Sequence, residues 1–296
     1  MILFGKLKLN KFIKIFIIVF LFFYLILINV NNGHSLSNKF YKNLKNLNYS
    51  TSFIAHAGGG IDGKAYTNSL EAVKKSVINS YNLIELDLLV TDDNRIIAQH
   101  DFRILEEICN LKIFIDDKKK IKKKVFFNDL RNCTNIFNGN YTLLKEDKII
   151  EIFEKNKDLI LVTDKIKDYK LIKNKFKFQD RLIVEVFTIK DYLKAKLSGI
   201  KNPMFLFTDG RRNIFYTVFF NIKLISVSTA NVKKYEGFFK YLLKNKVSIY
   251  SFSSNSENFN KKYIGSAITG VYTDFFDIKN FSCTEIKNNP NVCISY

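Results

Sequence analysis

Short apolar segments of strand length alternate with longer amphipathic segments between residues 52 and 280. Most of the apolar segments are hydrophobic at consecutive positions, which is typical of parallel strands that are covered on both faces. Eight segments predict strands, at 53–56, 83–90, 159–163, 182–187, 204–208, 224–228, 247–252 and 270–273. Most of the intervening segments have helical patterns, as at 68–80 and 188–197.

These repeats predict an α/β fold. Eight strand–helix units in roughly 225 residues favour a (β/α)8 TIM barrel over a doubly wound open sheet, which usually has fewer strands. One connection is much longer than the others, because residues 102–157 separate the second and third predicted strands. A connection of this length predicts an insert, together with the helix that follows it.

The N-terminal segment is basic and then apolar. Four lysines within residues 6–14 precede an uninterrupted apolar run at 15–28. Taken as residues 12–30, the run would rise about 28 Å as a helix, roughly one hydrocarbon thickness of a bilayer. Because no small-residue cleavage site follows, a retained transmembrane signal anchor is favoured over a cleaved signal peptide.

The chain is therefore expected to have five parts. They are a basic tail at 1–11, the anchor at 12–30, a linker at 31–51, the barrel at 52–280 with its insert at 102–157, and a C-terminal tail at 281–296.

Four cysteines bear on the compartment. Their placement predicts two local pairs, Cys109 with Cys133 and Cys283 with Cys293. Disulfides require an oxidising environment. With the lysines before the apolar run, they predict a single-pass protein of the cytoplasmic membrane whose barrel lies on the extracytoplasmic side. Four unpaired thiols in a domain on the cytoplasmic side are the alternative.

The net charge is strongly positive, +19 at pH 7 from 47 Lys+Arg against 28 Asp+Glu. Such a balance is compatible with nucleic acid, anionic lipid or phosphorylated substrates as partners. However, the lysines are spread along the chain, and no arginine-rich stripe or nucleic-acid motif accompanies them. A nucleic-acid partner is therefore not expected.

Candidate chemistry is concentrated in the first two predicted strands. Glu85 and Asp87 alternate along the second strand and so point to one face, which in a barrel opens on the mouth. Two adjacent carboxylates repel unless a cation lies between them, and oxygen ligands suit Ca²⁺ or Mg²⁺. His56 and His100, each after an apolar segment, are candidates for general acid and general base. A solvated surface strand is the alternative, which the apolar neighbours of the carboxylates disfavour.

These motifs resemble those of the glycerophosphodiester phosphodiesterases. That family has His-Arg-Gly after the first strand, then Glu-Asn-Thr, Glu-x-Asp, Thr-x-Asp-Gly and His-Asp, and it ends with Gly-x-x-Thr-Asp. The matching residues are His56-Ala57-Gly58, Thr67-Asn68-Ser69, Glu85-Leu86-Asp87, Thr91-Asp92-Asp93-Asn94 and His100-Asp101, with GVYTDFF at 270–276. The resemblance covers residues 53–276 and implies the same barrel.

The resemblance also implies a reaction, the metal-assisted cleavage of a phosphodiester. The substrate would be a glycerophosphodiester, a phospholipid headgroup or an envelope polymer. His56 and His100 would then be the catalytic acid and base, and Glu85 and Asp87 would be ligands of the divalent ion. The phosphatidylinositol-specific phospholipases share the barrel and the use of two histidines.

Further site residues follow from the same resemblance. Asp164, in LILVTDK, would be the third metal ligand in place of the glutamate of the family pattern. Lys165 or Lys167 would be a cation that faces the phosphate. Asn68 would contact the substrate or donate an oxygen to the metal. Gly58 begins a glycine run whose amides are able to approach a phosphate, although such a run is more often only a turn.

Two departures from the family pattern support a competing hypothesis. Ala57 replaces the arginine after the first histidine, and Thr67 replaces a glutamate that would bind metal. The Thr67 hydroxyl and the carboxylate of Asp62 are possible substitutes. A non-catalytic, membrane-anchored barrel that binds phosphoesters or scaffolds envelope assembly is therefore the alternative. The retained histidines and carboxylates favour an enzyme.

Overall fold

Eight short strands pair side by side into a closed parallel barrel in the computed structural model, which describes Phe20 and residues 52–109, 125–130, 133, 141–280 and 282–283. The barrel strands are β1 (Phe53–Ala55), β2 (Leu83–Val90), β4 (Ile160–Asp164), β5 (Leu182–Val186), β6 (Asn202–Phe207), β7 (Leu224–Ser228), β8 (Ser248–Phe252) and β9 (Gly270–Thr273). The barrel closes because β1 pairs with both β2 and β9. All eight predicted strands are present, and the (β/α)8 prediction is confirmed.

Alternate residues of each strand face inward. Ile54, Leu83, Val162, Met204 and Tyr250 belong to a buried cluster inside the barrel, which fills the space below the mouth. Their neighbours along the strands form a larger cluster between the barrel and the outer helices. Because both faces of every strand are covered, near-continuous apolar segments were the correct signal for this sheet.

Helices surround the barrel. In the described part of the chain they are α1 (Leu70–Ile78), α2 (Phe102–Ile108), α3 (Glu146–Lys155), α4 (Tyr169–Lys175), α5 (Ile189–Leu197), α6 (Arg211–Phe219), α7 (Thr229–Lys234), α8 (Glu236–Lys244) and α9 (Glu257–Tyr263). Several begin at hydroxyl caps that follow a strand: the side chains of Ser69, Thr188 and Ser256 each accept a bond from an early helix amide.

The connection from β2 to β4 contains a hairpin. A short strand, β3 (Ile96–Ala98), pairs antiparallel with the end of β2. His100 therefore follows β3, a strand that was not among the eight predicted ones, because the turn at Thr91–Asn94 reverses the chain. Buried Glu146 at the start of α3 accepts bonds from the Arg95 side chain and the Ile96 amide, which joins this hairpin to the start of α3.

Of the two predicted disulfides, one lies within the described residues. Cys109 and Cys133 are bonded, with Cα atoms 4.9 Å apart, so this pairing is confirmed. The predicted bond between Cys283 and Cys293 lies outside the described side chains. After the barrel, β10 (Phe276–Asp277) pairs with β11 (Ser282–Cys283).

The predicted anchor at 12–30 lies outside the described residues, except for Phe20. Within the part of the chain that the structure describes, no helix has the length and apolar character needed to cross a bilayer.

Candidate active site

Three carboxylates meet at the carboxyl ends of neighbouring strands. The parallel register of β2 and β4 places Asp87 beside Asp164, and Glu85 lies two residues earlier on the same face. One oxygen from each of the three side chains lies within 4.8 Å of the others. One oxygen of Asp164, Oδ1, is buried and has no hydrogen-bond partner. The three predicted metal ligands are therefore together, with an acceptor left available.

The electrostatics of this cluster favour a bound cation. Burial, followed by the charge of Asp87, holds the pKa of Glu85 well above its usual value. Burial and the charges of Asp87 and Glu185 raise the pKa of Asp164 to about 8. These carboxylates resist ionisation because each negative charge is desolvated and close to another. An all-oxygen, acidic donor set of this kind fits Ca²⁺ or Mg²⁺.

Neighbouring groups orient two of the carboxylates. Asn68 and Asp87 exchange two bonds: the Asn68 amide donates to Asp87 Oδ2, and the Asp87 backbone N–H donates to Asn68 Oδ1, both at 2.9 Å. The Ala57 N–H donates to Glu85 Oε2 at 2.6 Å. Asn68 therefore positions a carboxylate, and its role in substrate binding stays a prediction.

The side chain of Lys165 also contacts the cluster of three carboxylates. Lys165 Nζ lies 3.0 Å from Asp87 Oδ1 and donates to the His100 carbonyl at 2.9 Å. The sequence left Lys165 and Lys167 as alternatives, and it is Lys165 that borders the carboxylates. This ammonium links the cluster to the segment that carries His100.

His56 is held by an aspartate from the far end of the chain. Its Nδ1 lies 3.1 Å from Asp274 Oδ1, and its side chain is only 15% exposed. Because a carboxylate only accepts, Nδ1 carries the proton and Nε2 is left to act on a substrate. Burial alone lowers the pKa of His56, but the hydrogen bond and charge of Asp274, with the charges of Glu85 and Asp87, raise it to about 9.

His100 is exposed, in contrast to His56, and Tyr66 connects the two. The Tyr66 ring lies edge-on to both imidazoles, with centroid distances of 4.4 Å to His56 and 6.1 Å to His100. Both predicted catalytic histidines thus border Tyr66, and the backbone of His100 is linked to the carboxylates through Lys165. Tyr66 is itself 45% exposed at this opening.

The glycine run at Gly58–Gly60 has a structural reason. A Cβ on Gly60 would lie 2.1 Å from a Phe275 ring carbon and 2.6 Å from the Asp274 carbonyl oxygen. The Gly60 N–H donates to that same carbonyl at 2.7 Å, and the Gly58 carbonyl accepts from Ser76. The run therefore brings the β1 turn against the β9 turn, which carries Asp274. The role of Gly58 in phosphate binding stays a prediction.

The two substitutes considered for the missing glutamate are engaged elsewhere. Thr67 is fully buried, and its hydroxyl lies 3.0 Å from the Ser69 hydroxyl, which caps α1. Asp62 accepts a bond from the Tyr141 hydroxyl at 2.8 Å. In the described site, the expected carboxylate ligands thus remain Glu85, Asp87 and Asp164.

Sequence reasoning missed the roles of Asp274 and Tyr66. An aspartate after an apolar strand is also typical of a helix cap, so Asp274 was not distinguished. The Thr-Asp ending of the resembled family was the available signal. Tyr66 had none, since its place between the histidines depends on the fold of the loop at 59–67.

The fold and the carboxylates at its mouth define a TIM barrel with a candidate metal site. Comparison with known proteins shows which barrels it is similar to. No known protein family and no curated protein matches the sequence. Among solved structures, the chain is similar to a glycerophosphodiester phosphodiesterase from Thermotoga maritima, with 21% identity, a TM-score of 0.57, and coverage of 78% of this chain and 96% of that one.

Two further structures have the same architecture. A glycerophosphodiester phosphodiesterase from Parabacteroides distasonis is 16% identical, with a TM-score of 0.56 over 75% of this chain and 92% of that one. A phosphodiesterase from Oleispira antarctica, in complex with the product sn-glycerol-3-phosphate, is 14% identical, with a TM-score of 0.58 over 77% and 94%. This chain therefore has the fold of the glycerophosphodiester phosphodiesterases, as the sequence resemblance implied.

Proposed function

We propose that the protein is a metal-dependent phosphodiester hydrolase of the glycerophosphodiester phosphodiesterase type. One observation carries the proposal: three carboxylates, two histidines and a lysine, from segments far apart in sequence, lie around one barrel mouth. A purely structural arrangement would pair the buried carboxylates with partners, yet Asp164 Oδ1 has none. The similar solved structures support the same reaction class.

Each group has a place in the reaction. A divalent ion held by Glu85, Asp87 and Asp164 would neutralise charge that develops on the non-bridging phosphate oxygens. Lys165, beside Asp87, supplies a further positive charge at the same position. Asp274 holds the Nδ1 side of the His56 imidazole, which leaves Nε2 to act on a substrate.

The two histidines move the protons. One accepts the proton of the attacking hydroxyl, which belongs to water or to the substrate itself, as its oxygen bonds to phosphorus. The bond to the leaving oxygen breaks, and the other histidine gives that oxygen a proton. With water as nucleophile, the products are a phosphomonoester and an alcohol; with a substrate hydroxyl, they are a cyclic phosphodiester and an alcohol.

Turnover of bis(p-nitrophenyl) phosphate and of glycerophosphodiesters by the full-length chain tests the proposal. We expect activity with Ca²⁺ or Mg²⁺ and none with chelator. His56→Ala and His100→Ala should each lower kcat by roughly 10²–10⁴-fold, the usual contribution of a general acid or base. If neither metal supports turnover and calorimetry detects no binding of either ion, the non-catalytic alternative motivated by Ala57 and Thr67 is correct.

We also propose that residues 12–30 anchor the protein in the cytoplasmic membrane with the barrel on the extracytoplasmic side. The Cys109–Cys133 disulfide supports an oxidising compartment. The barrel would then lie in the periplasm or on the external face, and the test is alkaline carbonate extraction of membranes followed by protease treatment of cells whose outer envelope has been permeabilised and whose cytoplasmic membrane is intact. The chain should stay in the membrane and its barrel should be digested; release by carbonate or full protection from protease would contradict the proposal.

A further inference from the structure

The far side of the barrel mouth differs in chemistry from the side that carries the proposed reaction. The charged side consists of His56, Glu85, Asp87, Asp164 and Asp274, on or directly after β1, β2, β4 and β9. The apolar side consists of Phe187, Leu206 and Phe252, at the ends of β5, β6 and β8.

The direction of these apolar side chains follows from their neighbours. Glu185 points into the barrel, because it accepts bonds from Ser226 at 2.5 Å and from Tyr272 at 3.2 Å. Phe187 directly follows the last residue of β5, so it lies at the mouth end of that strand, next to the Val186 position. Leu206 pairs in register with the inward Ser226.

Phe252 completes the apolar side. It packs against the buried cluster inside the barrel and pairs in register with Ser228, the small polar residue at the end of β7. Leu206 and Phe252 are half-buried, and Phe187 is 42% exposed. Near these four strand ends, the inward side chains that the structure describes carry no charge except for buried Glu185, whose two oxygens already accept bonds from Ser226 and Tyr272. Apolar side chains left accessible beside a charged site are typical of a ligand surface.

We infer that the substrate is a phosphodiester in which one alcohol carries a hydrocarbon chain, as in a lysophospholipid. The phosphate would lie at the charged side, and the chain would cover Phe187, Leu206 and Phe252. A small polar alcohol would leave these side chains in water and gain nothing from them. The inference rests on the proposed function in that it concerns the same site.

Binding of n-alkyl phosphates measures this without requiring turnover. Calorimetry on the full-length chain with Ca²⁺ or Mg²⁺ would compare glycerol phosphate with butyl, hexyl and octyl phosphate, all below their critical micelle concentrations. We expect the affinity to rise about twofold to fourfold per methylene, as partial to full burial of each group predicts. Affinity independent of chain length would overturn the inference, even if glycerophosphodiesters are hydrolysed.

Two variants test where the hydrocarbon chain of the ligand binds. Phe187→Ala and Phe252→Ala should each flatten the dependence of affinity on chain length, lowering octyl phosphate affinity by roughly tenfold. Phe215→Ala is the matched control, because Phe215 lies on the outer helix α6 and is 56% exposed. If Phe215→Ala flattens the dependence of affinity on chain length equally, or if Phe187→Ala and Phe252→Ala leave it unchanged, the hydrocarbon chain does not bind at the apolar side.

Turnover separates this inference from the proposed function. With monohexanoyl lysophosphatidylcholine and glycerophosphocholine in the same buffer and detergent, the ratio of kcat/KM should favour the acylated substrate by at least roughly tenfold. Equal values would contradict the inference alone. Chain-dependent binding with no turnover of either substrate would support the inference and contradict the proposed function.

Discussion

The charged side and the apolar side of the mouth are built from the same repeating unit, yet they carry different chemistry. On the charged side, residues at strand ends are tied to one another across long stretches of sequence, as His56 is to Asp274. On the apolar side, the corresponding positions carry phenylalanine and leucine. Because a barrel strand end tolerates any side chain that its loops can accommodate, one scaffold is able to divide reaction and binding between its two halves.

Glu185 is where the comparison is sharpest. It is a buried carboxylate on a strand of the apolar side, and its charge is close enough to raise the pKa of Asp164. However, both its oxygens accept bonds from hydroxyls, whereas Asp164 Oδ1 has no partner. Asp164 is thus available to a cation and Glu185 is already engaged.

Asp164→Asn should have the largest effect. The change is nearly isosteric but removes one of three ligand charges, so we expect metal affinity to fall at least roughly a hundredfold and activity to reach that of the chelated wild type. Calorimetric titration with Ca²⁺ and Mg²⁺ measures this. Glu185→Gln is the matched control and should retain metal binding. Loss of metal binding in Glu185→Gln but not in Asp164→Asn would show that the cation binds at Glu185 and not at the charged side of the mouth.

Asp274→Asn should have a smaller effect, since Asp274 acts through His56. Without the carboxylate, the proton on Nδ1 is no longer fixed and the pKa of His56 falls. We expect kcat to drop about 10–100-fold, the usual cost of losing an orienting partner. The imidazole titration of His56, followed by NMR, should move to lower pH, which a merely structural role would not cause.

Asp209→Asn is the matched control for that variant. Asp209 follows β6 on the apolar side, but its carboxylate bonds to Lys234 and Tyr235 at the surface. It should leave both kcat and the titration of His56 unchanged. An unshifted titration in Asp274→Asn would show that the contact seen here does not govern the imidazole.

The sequence predicted the fold well because each strand is buried on both faces. Near-continuous apolar segments such as LIELDLLV are informative wherever they occur, so all eight strands were found with errors of at most two residues at their ends. The short strand β3 was missed because IIA is too brief to show a period, and its pairing depends on a turn that reverses the chain.

Site residues could be predicted from the sequence only where a local pattern or the family resemblance indicated them. Alternation along one strand placed Glu85 and Asp87 together, and the family resemblance added Asp164 and Lys165. The hydrogen bonds that orient the site residues join distant segments of the sequence, as between Asn68 and Asp87 or between His56 and Asp274. Such pairings depend on which strands become neighbours, and no spacing within a single sequence encodes that.

The pH dependence of stability gives the last and smallest effect. In chelated protein the native pKa of Asp164, about 8, lies above its ordinary value of 3.8, so the native state keeps a proton that the unfolded chain releases. Stability should therefore fall as pH rises from about 4 to 8. His56 acts in the same direction: its native pKa of about 9 exceeds 6.5, so its stabilising contribution is complete below pH 6.5 and is lost as pH rises through 9.

Asp164→Asn isolates the carboxylate contribution, which is at most about 1.4 kcal/mol per pH unit for one proton. Thermal unfolding of the chelated chain between pH 5 and 8 should show a shallower decline in Tm for this variant than for wild type. Asp158→Asn, at an exposed position before β4, is the control and should keep the wild-type slope. Saturating Ca²⁺ or Mg²⁺ should flatten the wild-type slope as well, because a bound cation compensates the charges that burial otherwise penalises. An identical slope of Tm against pH in wild type and Asp164→Asn would mean that the carboxylates of the charged side do not repel one another in the native state. The electrostatic reason for expecting a cation there would then be contradicted.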